Sequence, residues 1–304
     1  MAVAQQNLKK GQSLFFHYRD LIEQEIAKNI SSLGPKNKLR DACEYALTNG
    51  GKRFRPLIVL LVAEGLGSSL NVTQAALSVE FFHTASLIAD DLPCMDNENE
   101  RRSSPTVHKV YGETVALLAS YALITEGFHK IHENVDVLKK SDHPQSFLAD
   151  QIGCLALEIA SRCAGIKGAT GGQFSDMFPS HKTLDVLKNV IYQKTVTLFE
   201  VAFSFGWLFG GGDLEKLSLV KEVAYHLGFA FQIADDLGDM VQDEQKENCV
   251  NIGLFLGREK AFDFFLHEMK SFKACLEELN ILTPSFLKMS EVLSSLALNN
   301  LRNF

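Results

Sequence analysis

Ile88-Ala89-Asp90-Asp91-Leu92-Pro93-Cys94-Met95-Asp96, with Arg101-Arg102 close behind, decides how this chain reads. Upstream runs an apolar stripe, Val72, Ala75, Ala76, Val79, Phe82, His83, Ser86 and Leu87, at helical spacing, and the next member of the series is Asp90. The spacing predicts a helix whose buried face ends in carboxylates. That is the unfavourable end for anions, because the last carbonyls of a helix already carry partial negative charge, so cations are expected nearby. A second stripe, Leu217, Val220, Ala224, Leu227, Phe231 and Ala234, runs into Asp235-Asp236-Leu237-Gly238-Asp239. There Asp235 and Asp239, one helical turn apart, share a face. Close carboxylate pairs repel by about 4 kcal/mol at an intermediate effective dielectric, a large part of a domain's stability. The aspartates are therefore kept apart or share cations. A hard, oxygen-only donor set with few ligands per ion suits Mg²⁺, which keeps its waters and bridges to phosphate. One such run alone reads as a solvated helix end; two at like helix positions are harder to dismiss.

The rest of the chain is expected to be helical. Its 304 residues contain no Ser/Pro/Gly-rich linker, and the seven prolines leave His181 to Thr283 free of them. Strict alternation is scarce, and Asn49-Gly50 is the only hairpin-like dipeptide of its kind. The reading is a single all-α domain over residues 1–304. A net charge of −7 argues against an extended nucleic-acid surface. The six cysteines show no CxxC or zinc spacing and read as reduced thiols, which implies a cytoplasmic setting. No signal peptide is visible in Met1 to Lys10, and no apolar run approaches the roughly 18 residues needed to span a bilayer. A soluble protein without stable membrane insertion is expected.

In order, helices are expected over about Leu8–Asn29, Asn37–Thr48, Leu57–Leu66, Val72–Asp91, Thr106–Glu133, Pro144–Cys163, Gly172–Phe178, Leu184–Phe205, Leu214–Val241, Arg258–Leu279 and Pro284–Leu301, with Asn97–Pro105 a polar loop. Asn49-Gly50-Gly51 closes the second helix, and Lys52-Arg53-Phe54-Arg55 follows it, glycines and cations near a helix start that would suit a phosphate. Alone, that loop reads more readily as a solvated basic turn.

Taken together, these motifs resemble the trans-isoprenyl diphosphate synthases over nearly the whole chain. The resemblance rests on Gly50-Gly51-Lys52-Arg53-Phe54-Arg55-Pro56, His83-Thr84-Ala85-Ser86-Leu87-Ile88-Ala89-Asp90-Asp91 through Asp96 to Arg101-Arg102 and Pro105-Thr106, Gly172-Gln173-Phe174-Ser175-Asp176, Lys194-Thr195, and Phe231-Gln232-Ile233-Ala234-Asp235-Asp236 through Asp239, in the family's order. It implies an all-helical, usually homodimeric fold of the isoprenoid synthase type with a central cavity and the aspartate clusters facing across its mouth. By resemblance, Asp90 and Asp96 would hold two Mg²⁺ ions and Asp235 a third, with Asp239 acting through water. Arg101 and Lys194, with Thr195 and Gln232 nearby, would grip the allylic diphosphate. Lys52, Arg55, His83 and Arg102 would bind the diphosphate of isopentenyl diphosphate, which condenses with the allylic substrate and releases pyrophosphate. His83 also lies on the buried stripe, where a satisfied core histidine is the ordinary reading. Gln173 and Asp176 read as helix-start residues and are left out of the site.

The small Ala85 and Ser86 before Asp90, with Phe82 or Phe81 one turn deeper as a floor, point to a C20 product, with C15 the main alternative; Phe82→Ala should lengthen the product. Two departures from the family pattern stand out: Ser103 in place of the usual glycine after Arg101-Arg102, and Val241 to Ile252, with Lys246, in place of a lysine- and glycine-rich flap. Three rivals rank lower. A di-iron helical protein would use Glu80-x-x-His83 and Glu126-x-x-His129, but no separate helix supplies the intervening glutamate. An inactive synthase subunit would be free to lose an aspartate run, and both are intact. A class I terpene cyclase would not need Lys52, Arg55 and His83.

Overall fold

The computed structural model describes residues 2–179, 183–245 and 250–302, with side chains from Phe16 to Leu301 within those ranges. The architecture is all-α; one two-residue antiparallel pairing is the only sheet among the described residues. Contacts group the chain into two compact units, Met1–Leu60 with Ser69–Leu157 and Leu61–Ser68 with Glu158–Phe304. Among the described residues no helix is long and apolar enough to cross a membrane.

The first unit holds α1 (Ala2–Asn29), α2 (Lys38–Thr48), the start of α3 (Phe54–Gly65) and α4 (Thr73–Asp90). Asn37 caps α2 by accepting the Leu39 and Arg40 amides at 3.0 Å each. α3 begins at Phe54, earlier than expected, because Pro56 falls in the first turn, where a missing N–H costs nothing. α4 occupies the expected span, flanked by Val72 and Asp91. The expected Thr106–Glu133 helix is instead α5 (Val107–Tyr111) and α6 (Glu113–Lys139). They are broken at Gly112, whose φ of +88° lies outside the right-handed helix and is cheap only for glycine. α4 and α6 approach closely: Ser78 donates to the Gly127 carbonyl at 2.8 Å and Ser120 to the Ala85 carbonyl at 2.9 Å. The first part of α7 (Ala149–Ala164) completes the unit, starting later than expected.

The second unit contains the end of α7, α8 (Ala169–Met177), α9 (Leu184–Ile191), α10 (Thr197–Phe209), α11 (Leu217–Asp243), α12 (Ile252–Leu256), α13 (Arg258–Glu278) and α14 (Pro284–Arg302). Every residue of α10 is buried, with Phe203 against Phe286 and Phe272 at centroid distances of 6.0 and 6.2 Å. The stripe from Leu184 to Phe205 does not form one regular helix, because Tyr192–Val196 is wound as a π-helical turn between α9 and α10. α12, which periodicity did not reveal, starts on Asn251, whose side chain accepts the Leu254 amide at 3.0 Å.

Cys43, Cys94, Cys154, Cys163 and Cys275 are free, and burial pushes Cys43 up to about 11 and Cys163 to about 12. Cys249 and Lys246 lie outside the described residues.

Candidate active site

In the first unit, α4 delivers Phe82, His83, Ala85, Ser86 and Asp90 in sequence, and Asp91 caps its end. The chain then doubles back: the Asp96 amide donates to the Asp90 carbonyl at 2.9 Å and the Asn97 amide to the Leu92 carbonyl at 3.1 Å. This turn brings the Asp90 and Asp96 backbones together. Asp90 is half-buried, Asp91 buried and Asp96 exposed. Asp91 is claimed by Arg101, whose Nε and NH2 donate to its Oδ1 at 3.0 and 2.5 Å. Burial raises the Asp91 pKa, and the Arg101 hydrogen bonds pull against that rise.

Arg101 sits on β1 (Glu100–Arg101), paired antiparallel with β2 (Ser104–Pro105), so the expected loop contains a minimal hairpin. Its two turn residues, Arg102 and Ser103, have φ of +56° and +62°, the type I′ pattern that matches strand twist but favours glycine or asparagine. Ser103 therefore occupies a position where the family's glycine has a physical reason. The turn aims Arg102 at the α2–α3 loop, where it donates to the Gly50 carbonyl. Gly51 has φ of +133°, a conformation that side chains rarely adopt, and a Cβ there would also push on the Arg102 guanidinium, 2.5 Å from its Cζ.

That loop divides its cations. Lys52 is exposed and Arg55 half-buried, with its NH1 3.4 Å from His83 Nε2. Because arginine only donates, His83 accepts through Nε2, and its Nδ1 is a buried atom without a protein partner. Burial, then the charges of Arg55, Arg102, Arg53 and Arg101, hold His83 well below the ordinary histidine value. The ring is thus neutral at physiological pH. Lys52, Arg55, His83 and Arg102 belong to the first unit, as do Asp90, Asp96 and Arg101; of the four, Arg55 meets His83, and Arg102 reaches the carbonyl of Gly50, two residues before Lys52. Arg53, by contrast, is turned inward and bonded to Glu80 and Glu23, and this disposes of Glu80 as an iron ligand.

In the second unit, the carboxylates lie within α11, a turn before its end at Asp243 rather than at the end itself. Asp235 is half-buried, Asp239 exposed and Asp236 buried. Asp236 accepts from the Ile252 amide at 2.8 Å and from Gln232 Nε2 at 2.7 Å. Burial pushes its pKa up to about 7 against those two hydrogen bonds, helped by the charges of Asp235 and Asp243. Gln232 in turn accepts from Thr195 Oγ1 at 2.7 Å, so the expected Thr195 and Gln232 do meet. Thr195 and Lys194 both belong to the π-helical turn. Lys194 forms an ion pair with Asp176 of α8, and Gly172 packs so closely on the Lys194 backbone that no Cβ fits there. Asp176 is the residue that sequence reasoning left out. The only signal for it was its place in the Gly172–Asp176 motif.

Comparisons with known proteins show the family of the chain. Residues 36–250 match the family model described as polyprenyl synthetase. The farnesyl diphosphate synthase of Geobacillus stearothermophilus is 36% identical over 231 residues, 75% of each chain. A trans-prenyltransferase of African swine fever virus is 31% identical over 269 residues, covering 86% of this chain and 78% of that one. The apo crystal structure of an FPP/GFPP synthase from Zymomonas mobilis superposes with a TM-score of 0.75 at 27% identity, covering 98% of both chains. The chain belongs to the polyprenyl synthetase family, the trans-isoprenyl diphosphate synthases, and is a prenyltransferase of the short-chain type.

Proposed function

We propose that this chain condenses isopentenyl diphosphate with an allylic diphosphate (dimethylallyl, geranyl or farnesyl) head to tail, in a Mg²⁺-dependent reaction whose product is geranylgeranyl diphosphate (C20). Residues 1–304 act as a single catalytic domain, as a homodimer in the cytoplasm, and both carboxylate runs serve the same allylic diphosphate. The observation that carries the reading is that the first unit holds both a carboxylate run and a cation set: Asp90 and Asp96 flanking the Asp91 that Arg101 binds, and Arg102, exposed Lys52, and Arg55 against neutral His83. Two anionic groups of a bisubstrate reaction need two such sets.

The donors fit the ion. Asp90, Asp96, Asp235 and Asp239 present carboxylate oxygens on half-buried or exposed side chains, leaving positions for the water and phosphate oxygens that Mg²⁺ retains. When bound, up to three Mg²⁺ ions would offset the charge that builds on the departing pyrophosphate. The chain's own cations supplement this: Arg101 and Lys194 hold the allylic diphosphate, with Thr195 and Gln232 beside it. Lys52, Arg55, Arg102 and His83 orient isopentenyl diphosphate so that its double bond attacks the allylic carbon. The proton released is taken by pyrophosphate, so no side-chain nucleophile is needed.

Product length rests on the wall below Asp90. Ala85 and Ser86 are small, and the Phe82 ring packs edge-on to Phe128 at 5.0 Å. It lies over Gly127, where a Cβ would come within 2.7 Å of the ring. Gly127 gives the ring a seat on α6, and the small Ala85 and Ser86 above this floor support the longer product. C15 is the second reading, favoured by the relatives named farnesyl diphosphate synthase. Incubation with isopentenyl diphosphate and each allylic primer, with and without Mg²⁺, followed by mass spectrometry, tests both. Metal-dependent C20 supports the proposal, C15 replaces the product assignment, and no condensation by folded protein overturns it in favour of an inactive subunit.

A further inference from the structure

Among the cations of the Lys52–Arg55 run, Arg53 is the one whose side chain is wholly inaccessible to solvent. Its backbone has φ of +49°, a left-handed conformation that a non-glycine residue adopts only when its surroundings enforce it. The surroundings are three helices. The guanidinium donates from Nε to Glu23 Oε1 of α1 at 2.8 Å, from NH2 to Glu23 Oε2 at 3.2 Å and to the Leu47 carbonyl of α2, and from NH1 to Glu80 Oε1 of α4. Thr84 donates to the same Glu80 oxygen at 3.4 Å. Burial alone would weaken the cation, yet the charges of Glu80 and Glu23 more than reverse that.

Position gives this cluster a role beyond packing. Arg53 stands between Lys52 and Arg55 on the chain, and Glu80 is one helical turn before His83 on α4. A single buried ion pair therefore ties the junction of the α2–α3 loop and the first turn of α3, which carries two of the four isopentenyl-diphosphate ligands, to the helix that carries a third. We infer that Arg53 and Glu80 are the positioning pair of that subsite: they touch no substrate, and they hold Lys52 and Arg55 in register with His83. The inference rests on the functional reading above. Lysine in place of arginine keeps the charge and loses the planar fork that reaches all three helices, so the substitution separates charge from geometry.

The test uses Arg53→Lys, Glu80→Gln and the milder Glu23→Gln in the full-length protein. KM for isopentenyl diphosphate and for geranyl diphosphate, kcat, and calorimetric titration with isopentenyl diphosphate are measured, with circular dichroism to establish folding. The expected result is a rise in KM and Kd for isopentenyl diphosphate of about tenfold in Arg53→Lys, with smaller rises in Glu80→Gln and then Glu23→Gln. KM for geranyl diphosphate stays within about twofold. Parallel rises in both KM values, a fall in kcat alone, or no change in folded variants overturns the inference, because each describes a merely structural or idle cluster. If Arg53→Lys does not fold, the two glutamine variants decide by the same split. Wild-type protein that neither binds nor condenses isopentenyl diphosphate overturns the functional reading and takes this inference with it. Wild-type turnover with unsplit variants overturns the inference alone.

Discussion

The two aspartate runs share a pattern of exposure and differ in how they keep their middle carboxylate. In each, the first aspartate is half-buried, the second buried and the last exposed. Asp91 is held by a cation, Arg101, from a hairpin ten residues downstream. Asp236 is held by neutral donors, the Gln232 side chain and the Ile252 amide. The difference follows from helix position. A run at a helix end adds its charge to the partial negative charge of the last carbonyls and needs a cation. A run inside a helix has its backbone satisfied and can be held by dipoles. The first run is thus electrostatically closed within its own unit, and the second is closed by a hydrogen-bond chain through Thr195, Gln232 and Asp236.

The largest expected effects test whether the runs serve one chemistry. Asp90→Ala and Asp235→Ala should each lower single-turnover rates by about 10²–10³-fold, and the double variant should be little worse than either alone, as for residues that act as a unit. Additive losses would break the pairing. Next in size, Arg101→Met leaves Asp91 buried without its cation. Arg101 is about a third exposed, so the loss is placed below the fully buried range, at about 2–3 kcal/mol in urea unfolding. Gln232→Leu should cost about 1–2 kcal/mol, since hydrogen bonds but no ion pair are lost. The contrast between charge and dipole fails if Gln232→Leu proves the costlier of the two. The smallest effect is in pH. His83 is depressed in the folded state, so below its ordinary value of about 6.5 the unfolded chain binds more protons and stability falls as pH falls. Metal-free wild type should lose stability relative to His83→Gln as pH drops below about 6.5. Parallel curves would show that the first unit carries no such acid sensitivity.

Much of this was legible in the sequence, for identifiable reasons. The stripe ending at Asp90 fixed α4 almost to the residue because burial, cap and carboxylates all coincide there. Asn37 and the Asn49-Gly50-Gly51 stop bounded α2 in the same way. The Thr195–Gln232 contact was reached only through the resemblance, since 37 residues separate the partners. What escaped was whatever depends on who meets whom. Asp176 looks like a helix-start residue until Lys194 is placed against it. Arg53 looks like one more surface cation, because inward burial of an arginine has no local signature. The break at Gly112 was overlooked because the apolar pattern runs on through it.

The π-helical turn at Tyr192–Val196 has a consequence for how this stretch tolerates change. Each residue in an α-helix advances the side chains by 100° about the axis, and a π-helical turn accommodates one residue more than regular winding does. The turn therefore takes up one extra residue between α9 and α10 while keeping α10 in phase. Deleting a single residue within α10 instead would swing everything beyond it by about 100°. Most helices could turn part of such an error towards solvent. α10, buried on every side, has no face on which to hide it, so a change of residue count is taken up at the turn and not within α10.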